Sequence, residues 1–183
     1  MSRPIPDEVI LGLLKAKPAH GYELLECFRS RAQLGYIWRL STSQLYAVLK
    51  RLELEGAIVG QEFEATDAPT RIEYRVTEHG SRLLEAWLLD LHPSPSVHRI
   101  RVLFLSRIYI ANLLSISIDQ IVTAQVQTCQ RQCEIFKEQR HKHTSEIEGL
   151  TLDFIIQQLD SAILWLNSSQ FQWSMTSKAA QSQ

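Results

Sequence analysis

Residues 41–76 read STSQLYAVLKRLELEGAIVGQEFEATDAPTRIEYRV, and the spacing of their apolar side chains changes part-way along. The first part predicts a helix over residues 42–55, with Ser41 as its N-cap and Gly56 as the glycine that ends it. Apolar residues recur at intervals of three and four on one face of this helix: Leu45, Val48, Leu49 and Leu52. That face is expected to pack on a core and to leave the opposite face exposed.

The second part of the same stretch alternates between apolar and polar residues, as a half-buried strand does. Residues 57–64 and 71–76 are therefore predicted to form two strands, with residues 65–70 as a polar turn between them. Together they would make a β-hairpin directly after the helix.

Further helices are predicted on both sides of this stretch. Residues 7–16 carry a helical apolar stripe, and residues 20–33 predict a second short helix with His20 in a structural role at its start. Thr77 is placed to cap a fourth helix after the hairpin. The order helix, helix, helix, hairpin, helix is the layout of a winged helix. We therefore expect a mainly α fold with a small β-hairpin, in which a winged helix-turn-helix domain precedes a helical dimerisation domain.

The C-terminal half is predicted to consist of long helices. All glycines and prolines except Gly149 precede position 96, and the run His92-Pro93-Ser94-Pro95-Ser96 is the expected break between the two halves. Three helices are predicted after it, over residues 98–114, 118–147 and 150–172. The middle one is polar almost all round, so it needs packing partners, which favours dimerisation.

The domains expected from these patterns are residues 1–91 for the winged helix and residues 98–173 for the helical domain, followed by a disordered tail over residues 174–183. The chain has 19 basic and 20 acidic residues and a formal net charge of -1. A chain-wide polycation is excluded, so binding of nucleic acid would require a local basic patch.

Other protein classes are disfavoured by what the sequence contains. Three cysteines are too few for a disulfide scaffold, and the start of the chain lacks the apolar segment of a signal peptide. The longest apolar stretch, residues 102–118, contains Arg107 and several polar residues, so we expect a buried helix and no contact with a membrane. A reduced, cytoplasmic protein is the resulting expectation. No catalytic motif is recognisable, which disfavours an enzyme, and no cofactor or metal is expected.

Several short motifs in the first 90 residues occur together. They are ILGLL over residues 10–14, HGYEL over 20–24, SQLY over 43–46, LKRLELEG over 49–56 and YRVTEHG over 74–80. As a set they resemble PadR-like transcriptional regulators. In the C-terminal half, LFL over 103–105 and AILWL over 162–166 resemble the larger helical version of that family.

The resemblance implies a DNA-binding winged helix and a helical dimerisation domain. The chain departs from the family at two points of the DNA-reading surface. It has Ala47 where proline often follows the tyrosine, and Thr42 and Ser43 where glycine often stands in the turn. The sequence preference of relatives is therefore not carried over to this chain.

The predicted helix over residues 42–55 is the candidate reader of the DNA major groove. At about 100° per residue, Ser43, Ala47 and Lys50 lie opposite the apolar face. Its polar residues can bond base edges and its basic residues can hold phosphates. The DNA-binding candidates on it are Ser41, Thr42, Ser43, Gln44, Tyr46, Ala47, Lys50 and Arg51. The alternative is an amphipathic surface helix whose exposed face has no partner.

The sequence leaves open the roles of two tyrosines and two arginines. Tyr22 and Tyr46 could fill the core, while the resemblance implies that Tyr46 lies near the DNA backbone. Arg71 and Arg75 on the second predicted strand are candidates for phosphate contacts. Alternatively, they are solvated or pair with the acidic residues Glu62, Glu64 and Glu73.

Aromatic residues and cysteines suggest two further sites. The resemblance implies that a small aromatic effector could settle between aromatics at a dimer interface, and Trp87, Trp165 and Trp173 are the residues in question; core or interface packing is the alternative. Cys129 and Cys133 are one helical turn apart and could bind a soft metal or respond to oxidation; the alternative is two plain thiols.

The prediction from these observations is a cytoplasmic, homodimeric winged-helix regulator. It would bind double-stranded DNA at an inverted-repeat operator, most simply as a repressor. The alternative from a different class is a winged-helix protein-interaction module with little or no DNA binding.

Overall fold

The computed structural model describes residues 5–65, 68–142 and 145–168. The helices are α1 (Asp7–Ala16), α2 (Gly21–Arg29), α3 (Thr42–Leu54), α4 (Glu78–Leu88), α5 (Val97–Arg99), α6 (Leu105–Leu113), α7 (Asp119–Lys142) and α8 (Glu146–Leu166), and a π-helical turn, Ile100–Phe104, joins α5 to α6. The strands are β1 (Ala19–His20), β2 (Ile58–Ala65) and β3 (Ala68–Val76). The prediction of a mainly α fold with a small β-hairpin is confirmed.

Local signals set the ends of α3 as predicted. The Ser41 hydroxyl accepts the Gln44 N–H at 3.2 Å, and the Gln44 side-chain oxygen accepts the Ser41 N–H at 2.9 Å, which is a reciprocal capping box. At the other end Gly56 has a φ of 69°, and the Ala57 N–H reaches back to the Leu52 carbonyl at 2.8 Å. This is the Schellman geometry, for which glycine is favoured because it lacks a Cβ.

The sheet is antiparallel in the order β1-β3-β2, and the hairpin β2–β3 is called the wing below. Ile58 pairs with Val76 and Phe63 with Arg71, with an irregularity between Phe63 and Ala65. The predicted turn over residues 65–70 was wrong in extent, because β2 reaches Ala65 and β3 begins at Ala68. Cross-strand pairing extends the hairpin beyond the alternating pattern.

The short strand β1 was not predicted, since two residues carry no periodicity. Ala19 pairs with Tyr74, and the His20 ring donates from Nδ1 to the Ile72 carbonyl at 2.9 Å. The His20 N–H donates to the Glu23 carboxylate at 2.7 Å. These contacts confirm the structural role predicted for His20, which joins the start of α2 to the wing.

The described residues form two compact units. The first contains the residues up to Asp90 together with Arg101–Ile121. The second contains Leu91–Ile100 together with the residues from Val122 onward. Helix α6 therefore belongs to the same unit as the winged helix, although it follows the proline-containing run in the sequence.

The core of the first unit includes α6 and two buried polar side chains. The Trp38 indole N–H donates to the Ser106 hydroxyl at 2.8 Å, and that hydroxyl donates to the Val102 carbonyl at 2.6 Å. Arg107 is buried and donates to the Trp87 carbonyl at 2.8 Å and to the Asp90 carbonyl at 3.1 Å. Desolvation lowers the pKa of Arg107. This guanidinium satisfies carbonyls at the C-terminal end of α4, as a cation there can.

The predicted helix ends in the C-terminal half were partly wrong. The helical segment predicted over residues 98–114 includes the π-helical turn, and α7 ends at Lys142, five residues before the predicted end. Helix α8 begins at Glu146 and ends at Leu166, against the predicted 150–172. Trp173 and the tail predicted over residues 174–183 lie outside the described residues. No helix of the described part is both long and apolar enough for a transmembrane span.

Within the second unit, α7 and α8 are in contact, although the sequence of α7 is mostly polar. Cys129 and Cys133 are fully buried, and the Cys133 thiol donates to the Asp160 carboxylate at 3.3 Å. Arg140 donates to Asp153 at 2.8 and 3.2 Å. Together with Ala124, the two thiols form a buried face on α7, although most of this helix is polar.

Candidate nucleic-acid interface

Helix α3 divides into the two faces that its sequence predicted. The four residues of the predicted apolar face are buried: Leu45, Val48, Leu49 and Leu52. The predicted reading residues Ser41, Thr42, Ser43 and Gln44 are exposed at the N-terminal end, and Ala47 and Lys50 are exposed further along. Lys50 has no ion-pair partner within the described part of the chain. The exposed face of α3 therefore carries small polar side chains and one lysine that forms no ion pair with the described residues.

The capping box limits how Gln44 can read a base. Its side-chain oxygen is held by the Ser41 N–H, whereas its amide NH₂ group is left to donate. A bidentate contact to adenine uses both the oxygen and the NH₂ group of an amide. Such a contact by Gln44 would have to replace the hydrogen bond from Ser41. The Ser41 hydroxyl also lies 3.1 Å from that of Ser43.

Tyr46 lies between the core and solvent. Its side chain is 46% exposed, and its ring lies so close to Gly21 that a Cβ there would approach the ring to 2.9 Å. The glycine that opens α2 therefore lets α3 approach. Tyr22 is also exposed, and its ring stacks on that of His20 at 5.6 Å. Neither tyrosine fills the core.

Arg51 is engaged within the protein. Its guanidinium forms two hydrogen bonds of 2.6 Å to the Asp7 carboxylate and lies 3.5 Å from Glu55. Hydrogen bonding to Asp7 raises the pKa of Arg51. The pair joins α3 to the first turn of α1, so a phosphate at Arg51 would compete with Asp7.

The two arginines of the wing differ in whether they form an ion pair. Arg71 is exposed and has no ion-pair partner among the residues the structure describes. Arg75 donates to Glu73 at 3.1 and 2.9 Å, which is one of the alternatives that the sequence left open. The wing is tied to α3 through Glu53, which accepts the Gly60 N–H at 2.9 Å.

Two basic residues that were not predicted from the sequence lie beside the start of α3. Arg29, the last residue of α2, lies 3.5 Å from the Thr42 hydroxyl and also pairs with Glu26. Arg39, two residues before the cap, is exposed and has no ion-pair partner in the described ranges. Their proximity to α3 depends on the turn between α2 and α3, and residues 30–41 gave no periodic signal for that turn.

The other predicted sites are distributed over both units. The Arg107 guanidinium lies 5.8 Å from the centre of the Trp87 ring in the first unit, whereas Trp165 belongs to α8 in the second. Burial raises the pKa of both Cys129 and Cys133, which disfavours reactive thiolates. Among the described residues no three metal-binding side chains are grouped together.

Comparisons with known proteins found relatives in the family that the short motifs resemble. A family model described as "Transcriptional regulator PadR-like family" matches residues 10–86. The "Negative transcriptional regulator PadR" of Bacillus subtilis (strain 168) is 29% identical over 144 residues, which cover 77% of this chain and 68% of that protein.

Solved structures of the same relative were also matched. The Bacillus subtilis PadR complex with operator DNA has a TM-score of 0.47 and 23% identity, covering 93% of this chain and 99% of that one. The complex of the same protein with p-coumaric acid has a TM-score of 0.43 and 22% identity, covering 94% and 99%. The match over residues 10–86 and the similarity to the curated regulator support the assignment of this chain to the PadR-like regulators, whose members are transcriptional regulators and not enzymes.

Proposed function

We propose that this chain is a homodimeric repressor that binds an inverted repeat in double-stranded DNA. The observation that carries the proposal is the exposed face of α3. Its N-terminal end presents hydroxyl and amide groups, and Lys50 on the same face has no ion-pair partner in the described part of the chain. Such an N-terminal end of a recognition helix suits base edges in the major groove. A curated relative described as a negative regulator supports repression.

The contacts are assigned by chemistry. Ser41, Thr42, Ser43 and Gln44 face the bases, and small Ala47 permits close approach. Lys50 and Arg71 contact phosphates directly, since neither has an ion-pair partner in the described part of the chain. Arg51 and Arg75 act as secondary phosphate contacts that must first give up their carboxylates, and the half-exposed Tyr46 adds its hydroxyl.

The dimer is assigned to the exposed apolar seam of α8. Four side chains on it are between 62% and 76% exposed: Ile147, Leu150, Phe154 and Leu164. The first three are spaced by three and four residues, as in a helix seam that meets another helix, and Leu164 lies ten residues further on in the same register. The other seam of α8, which includes Leu152 and Leu159, is already buried. A second copy of the chain would cover the exposed seam by two-fold symmetry.

Two-fold symmetry sets the form of the operator. Two reading helices related by a dyad contact half-sites roughly one helical turn apart on the DNA. We place the protein in the cytoplasm, where a regulator of this kind meets its operator.

The test is a titration of the protein against its own upstream region at two salt concentrations. Lys50→Ala should weaken binding about tenfold and lower the salt dependence by about one phosphate contact. Lys142→Ala is the matched control, since it removes an exposed lysine from the end of α7. A complex without sequence selectivity, or equal affinities for the two variants, would overturn the proposal in favour of a protein-interaction module.

A further inference from the structure

Hydrogen bonds within the protein occupy the acceptor atoms at the N-terminal end of α3. The Gln44 side-chain oxygen accepts the Ser41 N–H at 2.9 Å, and the Ser41 hydroxyl oxygen accepts the Gln44 N–H at 3.2 Å. The side-chain atom that faces the Ser41 N–H has to be the oxygen, because two donors do not bond each other. The Thr42 hydroxyl oxygen accepts from the Arg29 guanidinium at 3.5 Å. The NH₂ group of Gln44 takes part in none of these bonds.

Carboxylates do not supply further acceptors at this end of the helix. The first turn of α3 has no acidic residue. Glu53, near the other end of α3, accepts the Gly60 N–H of the wing at 2.9 Å. The exposed guanidinium of Arg39, just before the cap, can only donate. The start of α3 therefore offers a base mainly hydrogen-bond donors, among which the NH₂ group of Gln44 has two hydrogens.

The four bases differ in how well they accept from such a group. In the major groove guanine presents two adjacent acceptors, N7 and O6, whereas adenine presents the acceptor N7 beside the donor N6 amino group. Thymine presents the single acceptor O4, and cytosine presents a donor. An NH₂ group can donate both of its hydrogens to guanine, but on adenine one of them meets another donor.

Reading adenine would also disturb the start of the helix. A glutamine binds adenine through both its oxygen and its NH₂ group. The Gln44 oxygen would then have to leave the Ser41 N–H, which is one of the amides that the helix itself cannot satisfy. Binding to guanine leaves that hydrogen bond in place, so the cap favours guanine over adenine.

We propose that the capping box makes Gln44 a donor-only reader that selects a guanine in each operator half-site. This inference rests on the proposed function, because it requires Gln44 to reach base edges in the major groove. The reciprocal bonds between Ser41 and Gln44 then have two roles: they begin α3, and they determine which purine the helix recognises. The preference for guanine over adenine at this position should be about tenfold, within the range for a correctly placed amide contact.

The first experiment selects bound sequences from a random-sequence library of double-stranded DNA, with the full chain. We expect half-sites with one guanine whose enrichment disappears in Gln44→Met, because methionine has a similar length and no NH₂ group. Gln44→Glu is the matched variant that keeps the cap, since a carboxylate at this position accepts the same backbone N–H. It replaces the free donor by an acceptor, so the same position should change to cytosine, whose N4 amino group donates.

The second experiment leaves the protein unsubstituted and changes single atoms of the selected DNA. Replacing the guanine by 7-deazaguanine removes the N7 acceptor and should weaken binding about fivefold, as the loss of one hydrogen bond does. Inosine is the matched control, because it lacks only the minor-groove amino group of guanine and keeps N7 and O6. Its affinity should stay within about twofold of that of guanine. Fluorescence anisotropy titrations of the three duplexes measure the difference.

The outcomes separate this inference from the proposed function. Adenine at the position that Gln44→Met relaxes, or equal affinities for guanine and 7-deazaguanine, would overturn the donor-only reader and leave sequence-selective DNA binding intact. A guanine that neither variant of Gln44 affects would overturn it as well, because another residue would then read that base. A library in which the unsubstituted protein enriches no sequence would overturn the proposed function, and the inference with it.

Discussion

Helices α3 and α8 each bury one apolar face, but their other faces differ. In α3 the face opposite the core carries small polar residues and a lysine, whereas in α8 it carries isoleucine, leucine and phenylalanine. An exposed polar face with donors and acceptors suits a charged, hydrogen-bonding partner such as DNA. Large apolar side chains that are exposed together on one face mark a protein interface. The two proposed roles, DNA binding for α3 and dimer formation for α8, rest on this difference.

The buried face of α3 gives the largest effect. Leu49→Ala removes a fully buried side chain and should lower the free energy of unfolding by about 2–5 kcal/mol, because a cavity remains. Leu54→Ala, on the same helix, removes a side chain that is 79% exposed and should change it by less than about 0.5 kcal/mol. Chemical denaturation of both variants measures the contrast; similar losses would mean that α3 does not pack as described.

The exposed face of α8 should control assembly. Leu150→Asp combined with Phe154→Asp places two charges in the apolar seam and should turn the proposed dimer into a monomer. Operator affinity should then fall about a hundredfold, since the two half-sites no longer bind as one.

Sedimentation velocity and DNA titration measure these two results. The matched control is Gln127→Asp combined with Gln130→Asp, which adds two charges to exposed positions of α7. Dimers that persist in the α8 variant would contradict the assignment of the seam.

Two neighbouring basic residues on α3, Lys50 and Arg51, are expected to differ in their contribution to stability. Arg51→Ala breaks the pair with Asp7 and should lower the free energy of unfolding by about 1 kcal/mol, the upper range for a partly exposed pair with ideal geometry. Lys50→Ala should leave it within about 0.5 kcal/mol, because Lys50 has no ion-pair partner in the described ranges. Thermal melts of the two variants decide this, and equal melting temperatures would show that the Arg51 pair contributes nothing.

The smallest expected effect on stability comes from ionisation of the buried Cys133 thiol, which contacts α8. Burial raises the pKa of Cys133, and its hydrogen bond to Asp160 raises it further. The folded protein therefore keeps this thiol protonated more strongly than the unfolded chain. The corresponding stability is present below the unfolded pKa of about 8.5 and is lost as pH rises above it.

Labelling with a thiol reagent at pH 7.5 checks the same burial. Cys27 is only half-buried and should react before Cys129 and Cys133. Operator binding should be the same with and without reductant. Early modification of Cys133 would show that the α7–α8 pair opens more readily than its packing implies.

Prediction from the sequence was best where the signal is local. The cap at Ser41, the glycine at Gly56 and the apolar face of α3 were all predicted correctly, because each depends on residues within one or two turns. The two-residue strand β1 and the π-helical turn before α6 were missed, because each depends on a partner far along the chain or on packing. For the cysteines of α7 the sequence left open a metal- or oxidation-sensitive pair or two plain thiols, because the burial of a thiol depends on the segments that pack against it.

Chain-local chemistry thus specified the winged-helix order, the caps and the polar row on α3, since these follow from periodicity and hydrogen bonding between near neighbours. Contacts between distant segments settled which cations are available: Arg51 is held by Asp7, 44 residues away, while Lys50 and Arg39 have no ion-pair partner in the described part of the chain. The same folding brings residues 5, 38–40 and 44–51 around one cavity. No residue pattern could show this, because the energy of an ion pair or a pocket depends on distances in space that sequence spacing does not contain.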